Sequence, residues 1–242
     1  QRAVSLSDIR LATKETWTGG AAGFRGIQTG EITSLEDLKT GLAGKDLSFT
    51  LAVGADTRLI TVNQTELDGI IVAAGGDPAA ELNGLKDLLD GKITEGFGAD
   101  FAGIVEVDGG KLRFDMAGQE LKILQAGTNT ESLSVLGIKN GVSSQDYLKK
   151  GVGELLGLDQ ATLDGVVVNG KSLGISAGDT IQQLMDKINR AEAGVEIRYE
   201  SLSDRFVMTS AREGSLGAIG IEGTAENNAF FGGLFGAGNV AG

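Results

Sequence analysis

Glycine sets the first limit on what this chain can fold into. It fills 39 of the 242 positions, while Pro78 is the only proline. Ordinary chains carry roughly 7% glycine. Glycine reaches left-handed backbone without a steric penalty and weakens helix and strand interiors, so a chain rich in it turns often. Apolar residues still make up 41% of the sequence, enough to build a core. Val, Ile and Thr between the glycines then point to short strands joined by tight turns. The expected class is α+β and strand-dominated: two small antiparallel-sheet units, each with one short packed amphipathic helix and Gly-rich turns. At 242 residues the chain is long enough for one or two cores.

What is absent narrows the chemistry. The chain has no His and no Cys, which removes the commonest metal ligands and the usual neutral-pH acid–base residue. Ser-His-Asp and Cys-His nucleophile systems are excluded with them, as are disulfides. The formal net charge is −12 and no basic patch offsets it. Such a surface repels nucleic acid and anionic membranes. No apolar run approaches the ~20 residues of a membrane helix. The chain begins at Gln1 with no signal-peptide pattern behind it, so it reads as a fragment or processed piece of a longer protein.

Along the chain, Val4 to Leu11 alternates like a half-buried strand, and Gly19-Gly20-Ala21-Ala22-Gly23 reads as a loop. Ser34 is positioned to cap a short helix through Leu38, with Asp37 three residues on. A strand pair is expected over 48–53 and 59–62 about a turn at Gly54-Ala55-Asp56-Thr57. Asp77-Pro78 starts a helix whose Leu82, Leu85, Leu88 and Leu89 share one face. A hairpin about Asp108-Gly109-Gly110 and a strand at 121–124 follow. Residues 144–156 read as one more short helix with Tyr147, Leu148, Val152, Leu155 and Leu156 as its apolar set.

The second half repeats the order. Val166-Val167-Val168 and 171–175 flank Asn169-Gly170, a strong short hairpin signal. Asp179 is expected to cap a helix with Gln182 three positions on, and Ile181, Leu184, Met185 and Ile188 form its stripe. Strands over 195–199 and 205–209, a last strand at Ile219-Gly220-Ile221 and an apolar closing segment at 228–236 complete it. The first copy spans about 48–138, with an insertion near 63–79, and the second about 164–236. Repeats this long suggest a duplicated domain rather than a solenoid. The corresponding division is 1–145, N-terminal strands plus the divergent first copy, and 146–242, the second copy.

The second copy resembles the flagellin/hook IN motif. The likeness rests on Asp164 through Lys171, Gly178-Asp179-Thr180-Ile181 and the Lys187-Ile188-Asn189 that names the motif. Gly194-Val195, Tyr199, Asp204-Arg205-Phe206, Thr209-Ser210 and Ile219-Gly220-Ile221 extend it. The first copy departs from the motif, with Asp90-Gly91-Lys92-Ile93 where the Ile-Asn pair belongs. Such motifs occur in flagellar filament cap proteins (hook-associated protein 2, the FliD family) and in the outer regions of some flagellins. Two segments look cap-like. Ile9-Arg10-Leu11-Ala12 with Thr16-Trp17-Thr18-Gly19-Gly20 is similar to the strand after the first coiled coil, and Phe230-Phe231-Gly232-Gly233-Leu234-Phe235-Gly236 to the closing segment. The resemblance implies the outer domains D2 and D3, one of them often inserted in the other, and not the heptad helices that flank them. It implies an extracellular, non-enzymatic assembly factor at the filament tip, exported by the flagellar type III route. Its partners would be flagellin and copies of itself in a cap oligomer and, as in some members, host mucin or glycan. The other readings are a flagellin outer domain and an adhesin or glycan-binding module.

No catalytic, cofactor or metal residue is expected. Gly19 to Gly26 lacks the Gly-Lys-Ser/Thr ending of a phosphate loop and reads as a turn. Asp108-Gly109-Gly110 and Asp204 lack the spacing of an EF-hand and read as hairpin turns. Nothing marks a pair of the 33 acids as facing a cleft, so solvated faces are the default over glycosidase chemistry. Trp17, Phe230, Phe231 and Phe235 are read as internal packing before partner anchors.

Overall fold

The computed structural model describes residues 14–213 and 218–236. Its contacts divide the chain into two compact units. An inserted unit runs from Arg25 to Asp146, and a split unit is made from the chain on either side of it. The sequence-based division at 145/146 falls beside the second joint. The first joint follows Phe24, and it groups β1 (Thr16–Thr18) with the C-terminal part, because β1 is a strand of that part's sheet. The strand expected over Val4 to Leu11 lies outside the described residues.

The inserted unit contains β2 (Ile27–Gln28), α1 (Leu35–Gly41), β3 (Leu47–Val53), β4 (Asp56–Val62), α2 (Gln64–Ala74) and α3 (Pro78–Phe97). β5 (Val105–Asp108), β6 (Lys111–Phe114), β7 (Leu121–Gln125), α4 (Glu131–Val135) and β8 (Val142–Ser143) follow. The strands make two antiparallel sheets, β4-β3-β7-β8 and β2-β6-β5. As expected, Ser34 caps α1 by accepting the Asp37 N–H, and Asp77 caps α3 with Pro78 behind it. Leu82, Leu85, Leu89 and Ile93 form the buried stripe of α3, with Leu88 partly buried beside it. Burying each such side chain contributes about 1.5–3 kcal/mol before entropy. Glu81, 6% exposed, accepts the Leu35 N–H at 2.7 Å and so ties α3 to the start of α1. Phe49 meets Phe114 edge-on at 5.7 Å inside the core. The ends of the unit meet where the Gly26 N–H donates to the Ser144 carbonyl at 3.1 Å.

The split unit adds to β1 the helices α5 (Val152–Leu156) and α6 (Gln160–Asp164) and the strands β9 (Val167–Val168) and β10 (Lys171–Ser172). α7 (Ile181–Arg190), β11 (Val195–Glu200), β12 (Arg205–Ser210) and α8 (Ala225–Phe235) complete it. Its main sheet has the order β1-β12-β11, and β9-β10 forms a separate two-stranded ladder. Asn169 and Gly170 are both left-handed, with φ of 48° and 72°, the backbone that a two-residue Asn-Gly hairpin requires. Ile181, Leu184 and Ile188 of α7 are buried and face a core that includes Val168, Ile197, Phe206 and Phe231.

The α+β class stands, but among the described residues helix (37%) outweighs strand (24%). Three segments differ from the expectation, the first two by adding helix. The expected insertion near 63–79 is largely α2, opened by a reciprocal Asn63–Glu66 capping box. The closing apolar segment is α8, capped by Thr224. The single helix expected at 144–156 is a 3₁₀ turn, Asp146–Lys149, and then α5, with α6 behind it. Two smaller readings also change. Ile219-Gly220-Ile221 is not a strand. The cap of α7 is Thr180 with Gln183, one residue beyond the expected Asp179 and Gln182.

Candidate functional site

Several residues of the IN-like pattern close joints between elements of the split unit. The Asn169 side chain donates to the Ala193 carbonyl at 2.7 Å and accepts the Gly220 N–H at 2.6 Å. The left-handed turn thereby holds both the chain leaving α7 and the 219–221 segment. Asp179 accepts the Ser176 N–H and pairs with Lys187 at 2.7 Å, and the Lys187 ammonium also donates to the Gly174 carbonyl. Asn189 accepts the Ile197 N–H at 2.7 Å and donates to the Ile197 carbonyl at 3.1 Å. Tyr199 donates its hydroxyl to Asp204, which is buried with a left-handed φ of 46°. Burial first, and then the Asp204 and Tyr147 hydrogen bonds, push the Tyr199 phenol well above its ordinary range. The phenol is thereby held as a neutral hydrogen-bond donor.

The sequence pattern missed two joints, one buried and one partly exposed. Asn227, fully buried, accepts the Val167 N–H at 2.8 Å and donates to the Glu222 carbonyl. Asp90 of α3 accepts the Gly103 N–H at 2.8 and 2.9 Å and the Val105 N–H at 3.2 Å. Leu89, the residue before it, is fully buried, as Ile188 is before Asn189. The counterpart of the Ile-Asn pair in the inserted unit is therefore Leu89-Asp90. Spacing alone pointed only to the Asp90-Gly91-Lys92-Ile93 stretch, because the strand that defines the pair is much further along the chain.

The other motif residues take part in close packing and turns. A Cβ at Gly19 would stand 2.7 Å from the Leu234 carbonyl, so this glycine is explained by close packing rather than by an anion. Asp108 ends β5, and its carboxylate accepts from Gln28. Phe230, Phe231 and Phe235 are at most 1% exposed, and half-buried Trp17 meets Phe235 edge-on at 6.2 Å. Among the described residues no three His, Cys, Asp or Glu side chains gather to hold a metal ion, and no helix is long and apolar enough to cross a membrane.

The described residues form concave surfaces, among them three of moderate size. A groove of about 400 Å³ between α2 and α3 is lined by Ile70, Ala73, Ala80, Gly84 and Leu88. A cleft of about 790 Å³ on the outer face of β3 and β4 is bounded by Lys45, Asp46, Thr50, Leu59, Thr61 and Asn129. A third, of about 370 Å³, lies beside Asn189, Arg198 and Thr209.

No family model and no curated protein matches the chain. Among solved structures it is weakly similar to the crystal structure of the flagellar cap protein FliD from Helicobacter pylori, at 15% identity and a TM-score of 0.20. That alignment covers 92% of this chain and 54% of that protein, so the chain spans about half its length. A score of 0.20 is far from a shared fold, and the functional reading rests on residues instead.

Proposed function

We propose that this chain is the outer, non-catalytic part of an extracellular flagellar filament cap protein, an assembly factor at the filament tip. The observation that carries the reading is the agreement between motif and geometry. Asn169, Asp179, Lys187, Asn189, Tyr199 and Asp204, six polar residues of the IN-like pattern, fasten hairpin, helix and sheet in the split unit. Flagellin and further copies of the cap protein are the partners this reading implies, and adhesion to host mucin or glycan is a further role it accommodates. The same motif decorates some flagellins, which makes a flagellin outer domain the second reading.

Immunogold electron microscopy of the source bacterium, with antibody raised against this chain, tests the proposal. Gold confined to filament tips is the expected result. Gold along the whole filament assigns the chain to a flagellin, and flagella without gold remove the flagellar reading altogether.

A further inference from the structure

The long sheet edges of this molecule differ in how they are closed. β1 and β8 are only three and two residues long. On β11, the Asn189 side chain occupies both the N–H and the carbonyl of Ile197, where a neighbouring strand would bond. On β5, Asp90 takes the N–H of Val105. Short or plugged edges are the ordinary defence against strand addition.

β4 lacks that defence. It is the outermost strand of the four-stranded sheet and has seven residues. Its hairpin with β3 closes on Val53 and Asp56 about Gly54-Ala55. The alternation of an antiparallel ladder then directs the N–H and carbonyl groups of Asp56, Arg58, Ile60 and Val62 at β3, and those of Thr57, Leu59 and Thr61 outward. The Thr57 carbonyl accepts one bond from Arg58. Among the described residues, nothing comparable covers the backbone of Leu59 or Thr61. The Leu59 side chain beside them is 64% exposed.

The geometry points to β4 as a docking edge for β4 of a second copy of this chain, paired antiparallel about a twofold axis. With Leu59 opposite Leu59, Thr57 falls opposite Thr61 and Arg58 opposite Ile60. No like charges face one another, and two exposed leucines cover each other. A register shifted to centre on Arg58 would oppose two guanidinium groups instead. The matched edges exchange about six backbone hydrogen bonds, and the contact is isologous. A second copy is the occupant because the strand complements itself in this register. Each copy carries a formal net charge of −12, so association strengthens as added salt screens the repulsion. This inference stands independently of the flagellar reading.

Sedimentation velocity on the full 242-residue chain across a concentration and salt series tests it. The expected result is a concentration-dependent dimer, with Leu59→Lys monomeric throughout and unchanged in circular dichroism. The chain has no Cys, so Leu59→Cys introduces a single thiol. Across the twofold, the facing Cα atoms stand about 5.5 Å apart, within disulfide reach. Under oxidised glutathione, Leu59→Cys should cross-link at least tenfold faster than Val72→Cys, whose position is 80% exposed. A chain that stays monomeric, a dimer that survives Leu59→Lys, or equal cross-linking by the two thiols would overturn the assignment. Binding of extended peptides from other proteins in place of a second copy would overturn it as well.

Discussion

The two units build one local arrangement with different chemistry. In each, a helix packs on the first strand of a hairpin, and the third strand of the sheet comes from an earlier lead-in segment. The orders are β2-β6-β5 and β1-β12-β11. Even the cross-strand rows correspond: Ile27–Phe114–Val105 in the inserted unit and Trp17–Met208–Ile197 in the split unit. A polar helix residue then clasps the first strand in that row. The amide of Asn189 both donates and accepts, so it satisfies both backbone groups of Ile197. The carboxylate of Asp90 only accepts, so the chain brings it two N–H groups, from Gly103 and Val105. Gly103 takes a left-handed φ of 80° in doing so. The position is kept while the donor and acceptor pattern changes, and the backbone ahead of the strand changes to suit.

Removing the buried residue beside each clasp should have the largest effect. Ile188→Ala and Leu89→Ala each truncate a fully buried side chain and are expected to cost about 2–5 kcal/mol. With separate cores, each substitution should shift one of two transitions in a denaturant titration followed by unit-specific amide signals. A single shared transition for both variants would break the comparison. Next, Asn189→Asp should cost about 1–3 kcal/mol, because it sets a carboxylate against the Ile197 carbonyl and removes the donor. The reciprocal Asp90→Asn keeps one oxygen to accept from Gly103 and Val105 but sets an NH2 donor where the second oxygen accepts the Gly103 N–H; at this partly exposed site it should cost less, about 1 kcal/mol. Equal losses in those two variants, by thermal or chemical denaturation, would show that the clasps are not chemically distinct.

The smallest expected effect is on acid stability. The Lys92 hydrogen bond, followed by the Asn63 backbone N–H, holds the Glu66 carboxyl below the ordinary glutamate range. A carboxyl with a depressed folded pKa stabilises above its unfolded value of about 4.3 and loses that contribution as pH falls through the folded value. Glu66→Gln should therefore flatten the acid limb for the inserted unit and leave the split unit's unchanged. An unaltered limb would mean that the α2 pair contributes nothing measurable.

Local chemistry was readable wherever a turn or cap has its own residue code. Asn169-Gly170, Gly54, Ser34 and Asp77-Pro78 fall where the structure uses them. α2 was hidden because Gly69-Ile70-Ile71-Val72 has the composition of a strand, although Asn63 and Glu66 carried the capping-box spacing. α8 was hidden because Phe230, Phe231, Leu234 and Phe235 crowd one short apolar run whose period is hard to separate from plain hydrophobicity. The expected strand at 219–221 failed for another reason: the backbone of Gly220 pairs with Asn169 rather than with a strand. Of the site, the identity of the motif residues was legible and their partners were not. Asn189 meets a strand eight residues away, and Asp90 reaches a loop and strand thirteen and fifteen residues on.

The bond between the Gly26 N–H and the Ser144 carbonyl bears on how such a chain can diversify. Since the inserted unit leaves and returns at neighbouring points and has its own core, it behaves as a cassette. It can be enlarged, exchanged for an unrelated domain or excised and replaced by a short tether, while the register of β1 on β12 is inherited unchanged. Lineages descended from such an ancestor would differ most in length and surface between residues 25 and 146, and least in the scaffold that receives them.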